Sequence, residues 1–254
     1  MLLLKLLLTP LLTLAVSLAA RAWGHRASGW LTSLPLVAGP IAAVLVVEQG
    51  ADFLVKTSAA TLVSLPAIAA YILAFASVAR TRGWLASLLS GWVVFVVCAI
   101  PLSYLPFGPW VGLAMTWAAL AAAYHYLPRS SAPRVPVHVP RIEIAFRMSA
   151  SVALMLVISY GAEAFGPQVS GALMAFPIGG SVLPAFTRAL HGVEATSMLM
   201  RGFTLGMFGF PMFLFVLAVA LEHIHPVAAF AGGVLGVLAG HFAAALAANR
   251  GWVR

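Results

Sequence analysis

The chain has 254 residues, of which 63% are hydrophobic and 8% are charged, and its mean hydropathy is +1.04. Soluble domains carry roughly 25% charged residues, so composition excludes an ordinary soluble domain. The net charge of +8 does not indicate nucleic acid, because the basic residues are dispersed singly near the ends of apolar runs. We predict one membrane domain whose main partner is the lipid bilayer.

Nine apolar runs are long enough to cross about 30 Å of hydrocarbon as helices. The first run resembles a secretory signal peptide, but residues 9–24 align with residues 151–166, so we interpret it as part of the fold. The sequence thus predicts an all-α polytopic membrane protein with nine transmembrane helices. They lie near residues 2–20, 28–48, 58–79, 84–105, 110–127, 147–165, 169–189, 200–221 and 226–247.

Residues 28–50 resemble residues 170–192. The offset is constant, since 171 − 29, 177 − 35 and 192 − 50 all equal 142. One unpaired apolar run lies between the two copies and would invert the second. We predict two inverted four-helix repeats, an arrangement typical of transporters. The three regions are residues 1–107 (first repeat), 108–146 (linker helix and a loop rich in Pro and Arg) and 147–254 (second repeat).

The basic residues predict the orientation. Nine spans place Lys5 and Lys56 on one face and the remaining 14 − 2 = 12 basic residues on the other. Positively charged loops favour the cytoplasmic side. We therefore predict an external N-terminus and a cytoplasmic C-terminus.

The second span of each repeat contains helix-breaking residues. Proline removes a backbone donor and glycine lets the chain unwind, and in lipid the freed backbone groups need new partners. Matched breaks in two halves point to a binding site between them, although two kinks that pack together are the simpler alternative. The predicted solute-binding residues are Pro35, Gly39, Pro177, Gly179, Gly180 and Ser181.

Lys56 and Arg201 form a second candidate pair. Each stands ten residues before a proline, since 66 − 56 = 10 and 211 − 201 = 10. A cation before a helix opposes the helix dipole, and a bound anion would relieve this conflict. We predict that the pair binds a small anionic solute or a lipid-linked phosphate. The alternative is an interfacial cation that reaches toward water.

Other polar residues have structural interpretations. We expect Arg188 to complement the carboxyl end of its own helix. Glu222, His223 and His225 could hold a metal, but they stand at a helix end where polar residues are ordinary, so we predict no metal site. His241 is either a packing histidine or a group that contacts a cofactor ring or relays a proton.

Small residues are interpreted as packing contacts. Gly232, Gly236 and Gly240 share one helix face, either inside the bundle or at a homodimer contact. Cys98, the only cysteine, is interpreted as a packed thiol. The sequence has no phosphate-binding glycine loop, nucleophile elbow or zinc-protease helix. We therefore predict no enzyme activity, no catalytic residues and no cofactor.

A set of short motifs in residues 147–247 carries a resemblance to a known family. These motifs are Val169–Leu173, Phe176–Pro177, His191–Ala195, Arg201, Phe210–Pro211 and Pro226–Phe230, and the first repeat matches more loosely through Gly29, Pro35, Gly50, Asp52, Lys56 and Pro66. They resemble the GlpM family of small bacterial inner-membrane proteins. The resemblance implies a bacterial inner-membrane location and four-span units, of which this chain would be a tandem inverted fusion. It implies no particular chemistry.

Two functional hypotheses follow. The first is a membrane transporter or channel whose solute binds between the broken second helices of the two repeats. The second is a non-transporting accessory or scaffold subunit of an inner-membrane complex, whose glycine faces contact partner proteins.

Overall fold

A computed structural model describes residues 11–128, 142–153 and 168–249, apart from 12–13, 16–17, 19–21, 26, 28, 36–37, 143, 147, 151 and 170. The described residues form helices and turns, with no β-strand among them. The main helices are α1 Ala38–Glu48, α2 Ala51–Ser64, α3 Pro66–Ala79, α4 Trp84–Ser103, α5 Pro109–Tyr126, α6 Ile178–Gly206, α7 Phe210–Ala220 and α8 Pro226–Asn249.

The described helices fit a membrane protein. Three stretches are long and apolar enough to cross a bilayer, namely Trp84–Ser103, Ile178–Ala220 and Pro226–Ala247. The bent pair α2 and α3 adds a fourth if it is counted as one span. Nine spans are not confirmed by the described residues. The predicted spans 2–20 and 147–165 lie largely outside them, and the stretch Ile178–Ala220 includes parts of two predicted spans.

Two glycines turn the chain at matching positions of the predicted repeat. Gly50 has φ of +87° and precedes α2, and Gly192 has φ of +83° and divides α6 into segments 178–191 and 193–206. Residues with a Cβ rarely adopt this left-handed region, so glycine is required at both turns. The helices that follow also match, since 51 + 142 = 193 and 64 + 142 = 206.

The same register continues beyond these helices. A Cβ on Gly91 would lie 2.6 Å from Tyr71 Cε2, and a Cβ on Gly233 would lie 2.8 Å from Phe213 Cδ2. Both the glycines and the rings are 142 apart, since 233 − 91 = 213 − 71 = 142. Helices α4 and α8 begin at the same offset, because 226 − 84 = 142. The correspondence therefore holds on both sides of the turn between α2 and α3, whereas the starts of α3 and α7 differ by 210 − 66 = 144.

This register corrects the predicted pairing of Lys56 with Arg201. With the offset of 142, Lys56 corresponds to Met198. Their equal spacing to Pro66 and Pro211 does not reflect equivalent positions. Both cations also lie inside helices, α2 and α6, rather than just before a span.

The two halves contact each other reciprocally. A Cβ on Gly29 would overlap backbone atoms of the second half, and a Cβ on Gly171 would overlap backbone atoms of the first half. The partners are Leu199 and Phe203 for Gly29, and Thr57 and Thr61 for Gly171. They are again 142 apart, since 199 − 57 = 203 − 61 = 142. Such exchanged contacts are typical of a two-fold relation.

Helix α5 packs against both halves. Thr116 Oγ1 donates to the carbonyl of Leu62 at 3.1 Å, and Trp117 Nε1 donates to the carbonyl of Phe208 at 3.1 Å. The predicted linker helix is confirmed as a helix. The loop after α5, which includes His138, lies outside the described residues. Most of residues 9–24 and 151–166, which align with each other in the sequence, also lie outside them.

The glycine face of α8 lies inside the bundle. A Cβ on Gly236 would lie 3.3 Å from Met212 Cβ, and one on Gly240 would lie 2.8 Å from Gly209 Cα. Gly232 is less constrained, with Val216 Cγ1 at 3.4 Å. The intramolecular alternative for these glycines is therefore confirmed. Cys98 is half-buried and packs against the core, as expected of a packed thiol.

Candidate functional site

Both predicted interruptions are confirmed. The helical residues 29–32 end in a turn at Ser33, and residues 171–174 end in a turn at Ala175. The chain then resumes as α1 and α6. Pro35 and Pro177 lie in the breaks, whereas Gly39 lies in the first turn of α1. Gly179, Gly180 and Ser181 lie in the first turn of α6.

The two broken segments meet next to their breaks. A Cβ on Gly179 would lie 2.7 Å from Thr32 Cγ2, and a Cβ on Gly180 would lie 2.7 Å from Phe203 Cζ. The absence of side chains on these glycines therefore allows the close approach. The region around these glycines is therefore tightly packed.

The second break is held by side chains of the first half. Tyr71 on α3 donates its phenolic hydrogen to the carbonyl of Gly180 at 2.6 Å. Trp92 on α4 donates from Nε1 to Ser181 Oγ at 2.9 Å. Phe176, inside the break, packs edge-on against Phe95 with ring centroids 5.2 Å apart. Among the residues predicted to bind the solute at the breaks, Ser181 contributes a side-chain hydrogen bond to this network.

Sequence reasoning missed Tyr71 and Trp92. A signal did exist, because an aromatic side chain with a polar tip inside an apolar run needs a hydrogen-bond partner. The sequence could not identify these partners, since Gly180 and Ser181 lie far along the chain.

The first break has a different polar neighbour. Ser33 Oγ donates to the carbonyl of Trp30 at 2.5 Å and lies 3.3 Å from His241 Nε2. The rings of Trp30 and His241 pack edge-on with centroids 4.7 Å apart. His241 Nδ1 lies 2.8 Å from the carbonyl of Val237. The two breaks therefore differ in chemistry although they match in position.

The predicted cations lie in different surroundings. Arg201 Nη1 donates to the carbonyls of Tyr124 at 3.3 Å and Leu127 at 3.0 Å, and its guanidinium lies 4.1 Å from the centroid of the Tyr124 ring. It therefore binds the carboxyl end of α5. Lys56 is exposed and makes no hydrogen bond or ion pair within the described part of the chain. The structure does not bring the two cations together.

Arg188 binds another helix. Its Nε donates to the carbonyl of Ala79 at 2.8 Å and its Nη2 donates to the carbonyl of Arg82 at 2.9 Å. These carbonyls follow the end of α3 in the first half. The expectation that Arg188 complements its own helix was wrong, because Gly192 lets α6 continue in a new direction while the long side chain reaches α3.

The segment Glu222–His225 is exposed. His225 Nδ1 accepts the backbone N–H of Val227 at 3.3 Å, so this histidine caps the start of α8. Among the described residues no three candidate metal ligands lie together. Glu163 lies outside the described residues.

Comparison with protein-family models, curated proteins and solved structures found no match to this chain.

Proposed function

We propose that the protein is a membrane transporter or channel for a small anionic solute or a lipid-linked phosphate, which binds between the two broken helices. In this proposal nine spans form two inverted four-helix repeats joined by α5. The observation that carries it is the contact of Thr32 with Gly179, which joins one break to the other. The reciprocal contacts of Gly29 and Gly171 support the repeat relation.

The chemistry of the breaks favours an anion. Helices α1 and α6 both begin at a break, so their positive dipole ends lie there. The N–H groups of Gly39 and Ile178 already donate to the carbonyls of Pro35 and Phe176, so other first-turn N–H groups are the candidate donors. Pro177 precedes α6, and no side chain caps this helix start. A solute with negatively charged oxygens would satisfy these donors, which lipid cannot do.

The second break is the more polar side of the proposed site. Its hydroxyl and indole groups come from Tyr71, Ser181 and Trp92. With the offset of 142, the corresponding residues in the other half are Phe213, Gly39 and Val234. The repeat therefore supplies two similar backbone breaks but only one set of these side-chain donors. We expect the solute to bind nearer to the second break.

A reversible cross-link between the breaks tests the proposal. Thr32→Cys and Gly179→Cys are combined in a Cys98→Ser background and the protein is placed in proteoliposomes. Uptake of radiolabelled phosphate, sulfate and small carboxylates, and translocation of a polyprenyl phosphate, are measured before and after oxidation. We expect oxidation to stop transport and a reductant to restore it. Transport that continues at the same rate in the fully cross-linked protein would contradict a site between the breaks.

The cations are tested separately. If Lys56 attracts the anion, Lys56→Gln should lower uptake without changing thermal stability, since the side chain is exposed. Arg80→Gln is a matched control, because Arg80 is also exposed but lies at the carboxyl end of α3. Arg201→Gln should lower both uptake and stability. Uptake unchanged in both Lys56→Gln and Arg201→Gln would remove these residues from the transport path.

The alternative is an accessory subunit whose glycine faces contact partner proteins. Gly236 and Gly240 pack against Met212 and Gly209 within this chain, so an intramolecular role already accounts for them. Purification distinguishes the two hypotheses, because an accessory subunit should be isolated with a stoichiometric partner. The GlpM resemblance, the bacterial inner membrane and the external N-terminus belong to the same proposal.

A further inference from the structure

His241 is a buried histidine whose ring nitrogens both have partners. The side chain is 2% exposed and lies on α8 beside the first break. Nδ1 lies 2.8 Å from the carbonyl of Val237, and Nε2 lies 3.3 Å from Ser33 Oγ. A Cβ on Gly209 would overlap the ring, so the imidazole also packs tightly against the turn after α6.

The hydrogen-bond count distinguishes the protonation states of this ring. A carbonyl oxygen only accepts, so Nδ1 must carry a hydrogen to bond Val237. The hydroxyl of Ser33 has one hydrogen, and it is directed at the carbonyl of Trp30 at 2.5 Å. Nε2 must then donate to Ser33 Oγ. All three hydrogen bonds are made together only when both ring nitrogens of His241 are protonated.

A neutral ring requires a different arrangement. With hydrogen only on Nδ1, Nε2 becomes an acceptor and faces a lone pair of Ser33. The hydroxyl of Ser33 must then rotate toward Nε2, and the carbonyl of Trp30 loses this donor. That carbonyl also accepts the backbone N–H of Ser33 at 3.3 Å, at the point where the helix breaks. The charge of the ring is therefore coupled to the hydrogen bonds of the break.

The surroundings of the ring suit a single titrating group. The described residues that contact it are Trp30, Ser33, Val237 and Gly209, and none of these is ionisable. Among these four contact residues there is thus no carboxylate and no second base. The charged side chains on α6, the helix that ends before Gly209, are Arg188, Glu194 and Arg201. Glu194 is exposed, and the two guanidinium groups are held by carbonyls at the ends of α3 and α5. His191 on the same helix packs against His25, with ring centroids 5.0 Å apart.

We propose that His241 and Ser33 form a proton-binding site, in which uptake of a proton on Nε2 sets the hydrogen bonding of the break at Trp30–Pro35. The site would make a transporter proton-coupled, but the protonation equilibrium of His241 exists whether or not the protein transports a solute.

The test is a ¹⁵N NMR titration of the full chain with labelled histidine and tryptophan in lipid nanodiscs. His241→Gln assigns the ring signals. We expect both His241 nitrogens to titrate between about pH 5 and 8, the range in which histidine switches charge in proteins. The Trp30 signal should shift with the same midpoint and lose that shift in His241→Gln.

The decisive result is the direction in which variants of Ser33 move the titration midpoint of His241. Ser33→Ala removes the acceptor for protonated Nε2, so the midpoint should move to lower pH by about one unit, a tenfold loss of proton affinity. Ser33→Thr keeps a hydroxyl and should keep the midpoint. His223→Gln, at an exposed site, should leave the His241 signals unchanged. A ring that stays neutral throughout, or a midpoint that Ser33→Ala raises or leaves unchanged, would overturn the proposal. Failure to transport any anion would leave it standing.

Discussion

Substitution of the reciprocal glycines should destabilise the protein to a similar degree. A Cβ on Gly171 would lie 2.7 Å from Ala60 Cβ and 2.8 Å from Thr61 N, and a Cβ on Gly29 would lie 2.8 Å from Phe203 N. Backbone atoms and a methyl group cannot move aside like a flexible side chain. Overpacking of this kind costs about 1–3 kcal/mol, whereas alanine in place of glycine stabilises a helix by about 0.5–1 kcal/mol. The cost of overpacking is therefore larger than the gain in helix propensity.

We therefore expect Gly29→Ala and Gly171→Ala each to lower the free energy of unfolding by about 0.5–2 kcal/mol. The thermal midpoint of the purified protein should fall by about 2–4 °C for each kcal/mol in a chain of this size. Gly232→Ala is the matched control, because the new Cβ would meet only Val216 Cγ1 at 3.4 Å. That variant should be neutral or slightly stabilised. A neutral Gly171→Ala beside a severely destabilised Gly29→Ala would refute reciprocal packing of the two halves.

Three further outcomes are expected. A topology reporter fused after Arg254 should behave as cytoplasmic and one at the N-terminus as external, and two termini on one side would exclude inverted repeats. Tyr71→Phe should lower stability by about 1–3 kcal/mol, because the buried carbonyl of Gly180 loses its phenolic donor, and thermal unfolding measures this loss. Arg188→Gln and Arg201→Gln should each cost about 1.5–3 kcal/mol, since each guanidinium donates to carbonyls at another helix end. A Lys replacement that restores full stability at either position would contradict this geometry.

Local signals predicted the breaks well. Pro35 and Pro177 disrupt a helix through their own covalent structure, so the breaks could be predicted without knowledge of distant contacts. Gly50 and Gly192 marked the ends of the repeated segments, and the structure shows why glycine is needed there, since both have positive φ. Recognition of the helical linker rested on the apolar run alone.

Long-range partners were not predictable from the sequence. Arg188 and Arg201 bind carbonyls 106–109 and 74–77 residues away, and a backbone carbonyl has no sequence signature. The pairing of Lys56 with Arg201 failed for a related reason. It followed the spacing to a proline, whereas the register of the helices is set by the glycine turns and by contacts across the bundle.

The exchanged contacts of Gly29 and Gly171 have a consequence for how such a chain can arise. A surface that fits the corresponding surface of its own copy needs no second, different gene product. Two copies of one four-helix unit, inserted into the membrane in opposite orientations, could already make these contacts. The glycine at position 29 of each copy would then pack against the residue at position 57 of the other. If the two halves have opposite orientations as proposed, fusion through a helix such as α5 fixes the ratio of the two orientations at one to one. We expect residues 1–146, which include α5, and residues 147–254, expressed as separate polypeptides, to assemble with each other.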